Sequence, residues 1–140
     1  MSREEILKAL RAASGPNIEI DKDILEATGG CAHRETKYYC IEDGNDCDSG
    51  FTCLRCGKDT YGERVPPFTG SIDAAVNLYE QLLSGWRIRW QCDGDDTHEA
   101  FVESKSDFAA IDATDTREFG ASAAIAICAS VFAALLVRGD

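Results

Sequence analysis

The stretch Gly30–Gly57, GCAHRETKYYCIEDGNDCDSGFTCLRCG, constrains the chain more than any other. It holds five of the seven cysteines and one of the two histidines within 28 residues. A segment so rich in sulfur and so poor in aliphatic side chains must be held by disulfides or a metal, or else carry a nucleophile. An odd number of cysteines cannot pair completely within one chain. The opening MSREEILKAL has two early acids and lacks the apolar run of a signal peptide. A cytoplasmic, reducing setting is therefore expected, where cysteines serve as metal ligands or free thiols more often than as disulfides.

The spacing points to zinc. Cys53-Leu-Arg-Cys56-Gly57 has knuckle form: two residues between thiolates let one tight turn present both sulfurs to one ion. The following glycine permits the positive φ such a turn needs. Cys31-Ala-His33 offers a second pair, since alternate residues of an extended segment point the same way. Nineteen residues separate the pairs, enough for a hairpin that brings them together. The expected ligands of a structural Zn2+ are Cys31, His33, Cys53 and Cys56, with Cys40 and Cys47 as alternates for the His33 corner. Four protein ligands leave no open corner for water, so the site is expected to hold structure rather than do chemistry. No catalytic residue is assigned.

At 140 residues the chain has the length of one domain, and 44% apolar with 28% charged residues is a globular composition. The net charge of −11 is spread along the sequence without a basic patch. Phosphate backbones require clustered Lys and Arg, so a protein partner is favoured over nucleic acid. The 18 uncharged residues of Gly120–Val137 reach only the lower edge of membrane-spanning length, and seven of them are alanine. A buried helix is the expected outcome, with no membrane segment.

Periodicity supplies the elements. Ser2 with Glu5 forms a capping-box pattern ahead of a short helix ending near Ser14-Gly15-Pro16. A second short helix, capped by Asp21, is predicted over Asp21–Ala27, with Gly29-Gly30 as its stop. Tyr38–Ile41 and Phe51–Cys53 read as strands flanking turn formers. Arg64–Ser71, with two adjacent prolines, reads as a linker between 1–64 and 65–140, packed as one unit. Ser71 caps a helix with apolar residues at helical spacing, and Gly85 stops it. Trp86–Gln91 alternates, with Trp86, Ile88 and Trp90 on one face and Arg87, Arg89 and Gln91 on the other. Ala100–Ser104 is a second, antiparallel strand. The resulting class is α+β, with helices covering an antiparallel sheet and short helices and a zinc-ribbon-like hairpin preceding it.

The second half resembles the phage ABA sandwich family of small phage and prophage proteins. The residues that carry the resemblance are PPFTGSIDAAVNLYEQL (Pro66–Leu82), GWRIRW (Gly85–Trp90), AFV (Ala100–Val102) and the alanine-rich ending ASAAIAICASVFAALL. A short REEIL helix, here Arg3–Leu7, and a C-x-H…C-x-x-C-G segment also recur in such proteins. The segment between the metal pairs is longer here and adds Cys40 and Cys47. The resemblance implies a small α/β/α sandwich and a phage or prophage origin, in the host cell cytoplasm. It implies no activity.

Other patterns lead elsewhere. Cys92, His98, Asp95 and Asp96 read as an acidic surface turn, since no orienting constellation for a nucleophile accompanies them. No P-loop, GxGxxG or GxSxG occurs. The leading expectation is a non-enzymatic, zinc-binding phage accessory protein that binds a host or phage macromolecule, with inhibition of a host defence as one use. The alternative is a protein that sequesters a nucleotide signal through Arg87 and Arg89. A zinc-dependent enzyme stands third.

Overall fold

The structure is a computed structural model, and it describes residues 1–43, 46–60, 64–92, 97–104 and 113–139; of residues 43, 46–48, 113 and 114 only the backbone is described. The elements in chain order are α1 (Arg3–Ala12), α2 (Ile18–Ala27), β1 (Thr36–Asp43), β2 (Asp46–Cys53), α3 (Ile72–Leu82), β3 (Arg87–Cys92), β4 (His98–Glu103), α4 (Ala113–Thr116), β5 (Glu118–Gly120) and α5 (Ala123–Arg138). Two antiparallel sheets form, one of β1 and β2 and one in the order β3-β4-β5. The fold is α+β, as the periodicity predicts.

Local chemistry sets the helix starts. The Ser2 hydroxyl accepts from the Glu5 N–H, and the Glu5 carboxylate accepts from the Ser2 N–H, closing the capping box of α1. The second helix begins earlier than the sequence reading placed it. Asn17, not Asp21, is its cap: the Asn17 side-chain oxygen accepts from the N–H groups of Glu19 at 2.9 Å and Ile20 at 3.2 Å. That start places Ile20 and Ile24 on one buried stripe, which a helix beginning at Asp21 would have lost.

Asp21 has another task. It is buried, and its Oδ1 accepts from both the N–H and the hydroxyl of Thr69, each at 2.8 Å. The Thr69 hydroxyl in turn accepts from the Asn17 N–H at 2.8 Å. This small network ties α2 to the turn ahead of α3, across 48 residues of sequence. Asp21→Ala leaves the buried Thr69 N–H unpaired and the Thr69 hydroxyl with only the Asn17 carbonyl at 3.3 Å, and is expected to cost about 1–3 kcal/mol, read as a lower urea midpoint. A change below about 0.5 kcal/mol would show that water replaces the carboxylate.

The core is centred on α5. Residues 124–135 of this 16-residue helix are all buried, so it is apolar on every side. It packs on β3, β4 and β5 and on α1, α3 and α4. At 1.5 Å per residue it is about 24 Å long, short of a bilayer core. Among the described residues no helix is long and apolar enough to cross a membrane.

Ala100 and Val102 of β4 turn to the core, with Trp90 and Ile88 paired opposite them. Trp90 shares that face but lies at its margin, 43% exposed, so it is only partly a core residue. The short strand β5 and helix α4 carry too few residues for any periodicity to show. What holds β5 is tertiary. The Arg11 guanidinium of α1 donates through Nε to both oxygens of the buried Glu118, at 3.2 and 3.1 Å. At Gly120 a Cβ would sit 2.7 Å from the Ala126 backbone nitrogen, so glycine lets α5 start directly against β5.

Candidate metal centre

The metal segment begins where α2 ends. Gly29 adopts φ +90°, and the Gly30 N–H donates to the Leu25 carbonyl at 2.9 Å, which turns the chain towards Cys31. His33 then takes φ +50°, a left-handed conformation rare for a residue with a side chain. Cys31 and His33 therefore do not share an extended segment. They meet because the backbone turns over at His33. On the other side, the Gly57 N–H donates to the Cys53 carbonyl at 2.9 Å and Gly57 has φ +75°, as the knuckle spacing predicts. The Leu54 N–H donates to the Glu35 carbonyl at 2.9 Å and closes the hairpin above both halves.

This geometry brings Cys31, His33, Cys53 and Cys56 together, with all four ligand atoms within 4.8 Å of one another. The Cys31 and Cys53 sulfurs are 3.7 Å apart, and Cys56 Sγ lies 3.4 Å from His33 Nδ1. Three sulfurs and an imidazole nitrogen are soft to borderline donors, suited to a transition-metal ion and not to calcium or magnesium. Cys53 is buried while Cys56 is exposed, so the site lies at the surface with one wall sealed.

The thiols are electrostatically unequal. The Cys56 backbone N–H, then the His33 side chain, hold the Cys53 thiol down at about 6. At Cys31 the largest single influence, the His33 backbone N–H, favours the thiolate. Desolvation and the neighbouring Cys53 and Cys56 thiols together outweigh it and push Cys31 up. Cys53 is thus more readily available than Cys31 as a thiolate for a first metal contact.

Sequence reasoning missed Arg34. Its guanidinium donates to three carboxylates of α2: Glu19 at 2.8 Å, Asp23 at 2.7 Å and Glu26 at 2.5 Å. Those acids are spaced four and then three residues apart, which is one helical face. Only an i, i+4, i+7 run of acids on α2 hinted at a cationic partner, and nothing in the sequence pointed to Arg34. The clamp fixes the residue next to His33 and docks the metal segment on the helical core.

The remaining candidates fall elsewhere. Cys40 is disulfide-bonded, which removes it as an alternate ligand: an oxidised sulfur cannot also give a metal thiolate. The Cys47 side chain lies outside the described residues. Arg87 and Arg89 are exposed on β3, far along the chain from the cluster. Arg89 lines a shallow cavity of about 330 Å³ with Trp90, Gln91 and Phe101. Phe101 and Arg117, whose guanidinium lies 5.6 Å from the Phe101 ring centre, belong to this region and were not singled out from the sequence. Cys92 and His98 stand opposite each other in the β3–β4 register, while Asp95 and Asp96 lie outside the described residues.

The thiols of Cys31, Cys53, Cys56, Cys92 and Cys128 should react in a fixed order with a colourless disulfide reagent that releases a coloured thiolate. Exposed Cys92 is expected first. Cys31, Cys53 and Cys56 should follow only after a chelator is added. Burial pushes the Cys128 thiol up and shields it, so it should react only in denaturant. Simultaneous reaction of Cys92 and the three cluster thiols in metal-replete protein would contradict ligation.

No protein-family model, curated protein or solved structure matches the chain.

Proposed function

We propose that this chain is a non-enzymatic, zinc-stapled binding protein, encoded by a phage or prophage, that acts on a macromolecule of host or phage. The observation that carries the reading is the shape of the four-donor cluster. A tetrahedral zinc with Zn–S near 2.3 Å and Zn–N near 2.05 Å has S···S edges of about 3.8 Å and S···N edges of about 3.6 Å. Two of the six donor separations, 3.7 Å and 3.4 Å, lie near those edges, and all four donors are within 4.8 Å of one another. Four protein donors fill the coordination sphere, which supports a structural role over hydrolysis. The zinc would close the base of the β1–β2 hairpin and supply the ordering that its sparse apolar content cannot.

The phage origin rests on the resemblance of Pro66–Leu82, Gly85–Trp90 and the C-terminal helix to the phage ABA sandwich family, and inhibition of a host defence would be one use of such a protein. Elemental analysis of protein purified without added metal should give about one zinc per chain. Absence of metal, with Cys31, Cys53 and Cys56 all oxidised, would overturn the zinc reading.

A second reading has its own observation. Arg87 and Arg89 lie exposed on β3, and Arg89 shares its cavity with Phe101 and Trp90. Cations beside aromatic rings suit a nucleotide, whose base stacks and whose phosphate pairs. A rise in melting temperature with cyclic or linear nucleotides, lost in Arg89→Ala, would favour sequestration. The leading reading expects no such shift.

A further inference from the structure

The β1–β2 hairpin stands apart from the rest of the fold. Among the described residues it packs against no helix and no strand of the other sheet. Its sheet has only two strands in the order β1-β2. The outer side of β2 is partly covered: the Thr60 N–H donates to the Phe51 carbonyl and the Cys53 N–H to the Lys58 carbonyl, both at 2.9 Å. β1 has no second strand neighbour among the described residues. The Leu54-to-Glu35 bond fixes the alternation of the ladder. It turns the backbone groups of Thr36, Tyr38 and Glu42 away from β2 and towards the outer edge.

The hairpin joins an apolar aromatic pair to an acidic sequence. Tyr38 and Phe51 face each other across the strands, edge to face at 5.7 Å, yet remain 58% and 50% exposed. Such an uncovered aromatic pair on a strand edge is a feature that folded proteins otherwise shield. The two strands hold one basic residue, Lys37, against Glu42, Asp43, Asp46 and Asp48. A second copy of this chain, at net charge −11, would bring the same acidic excess to the hairpin, four acids against one lysine. A phosphate-bearing molecule would be repelled in the same way.

We infer that β1 is a docking edge for an extended, basic polypeptide segment, which adds as a third strand and lays apolar side chains on Tyr38 and Phe51. Main-chain hydrogen bonds would give the affinity, and the acids with the aromatic pair would select lysine or arginine alternating with apolar residues. The inference rests on the proposed partner-binding role, and it gives that role a surface and a partner chemistry.

The test uses the whole metal-replete protein and a synthetic heptapeptide alternating lysine with valine. Binding is read by fluorescence anisotropy and by amide exchange. The expected result is saturable binding that slows exchange of the Tyr38 and Glu42 amides. Tyr38→Asp should weaken binding by about tenfold or more. This variant separates the mechanisms, because it removes the anchor while adding negative charge. Affinity raised by Tyr38→Asp, or equal affinity for a peptide of the same charge interrupted by proline, would reduce the contact to charge attraction and overturn the inference. No binding would also overturn it, as would concentration-dependent dimers of the protein that Tyr38→Asp dissolves. Zinc content is measured on the same sample. Binding by a metal-free protein with an intact hairpin would overturn the zinc reading alone, and a zinc-loaded protein that ignores the peptide would overturn the docking edge alone.

Discussion

Stripping the metal from reduced protein is expected to melt the hairpin, compared with equally reduced, metal-loaded protein, and to leave the helical core standing. The buried cluster is built from α1, α2, Phe68, α3, β4 and α5, and the hairpin strands contribute nothing to it. An isolated two-stranded hairpin is marginal in water. Structural zinc in small modules supplies apparent binding energies of about 10–16 kcal/mol, nearly all of it spent on ordering. The amide signals of β1 and β2 should therefore collapse towards random-coil positions when a chelator is added, while the helical circular dichroism persists. Cys53→Ser should do the same without a chelator, because it removes the buried donor whose thiol is held down at about 6. Arg34→Ala should leave the ion bound but more weakly, since it frees the clamp beside His33. Unchanged hairpin signals in metal-free, reduced protein would show that the ion does not staple it. Loss of all signals together would show that hairpin and core unfold as one unit.

Phe132→Ala is expected to be the most damaging single core substitution. Among the described residues Phe132 is the largest fully buried side chain, and it sits in the middle of α5. Removing a buried phenyl ring costs about 3–5 kcal/mol in lost transfer energy and residual cavity. Domain stabilities run to about 5–15 kcal/mol, so a fifth or more of the total is at stake. The urea midpoint of the metal-loaded protein should fall accordingly, with little change in slope. Val137→Ala, on the same helix but 49% exposed, should shift it by less than about 0.5 kcal/mol. Equal effects would mean that α5 does not lie at the centre of the core.

The contrast between these two variants follows from how α5 could be read. Its alanine-rich run announces a buried helix, yet a run apolar on every side has no face to assign. Which strands and helices surround it is decided by β3, β4, β5, α1 and α3 closing on it. The same limit explains β5: three residues have no period, and pairing with β4, the Arg11–Glu118 pair and the Gly120–Ala126 approach hold them in the sheet. It explains Asp21 as well. An acid just ahead of an apolar stripe reads as a cap, but Asn17 caps more effectively from farther back, and Asp21 is drawn inward by Thr69.

The sequence by itself determined the class of the fold, the extents of α1, α3 and α5 to within a few residues, the two strand pairs, and the four residues that converge on the candidate metal site. These are legible because capping, alternation and knuckle spacing are local chemistry, each complete within a dozen residues. The tertiary structure alone decided that His33 reaches Cys56 through a left-handed turn, that Arg34 clamps three acids of α2, and that Cys40 is oxidised and lost to the metal. It also decided that β1 stands at an outer edge with Tyr38 and Phe51 uncovered. Each of those depends on a partner distant in sequence or on a surface left unpaired, and neither leaves a pattern in the order of the residues.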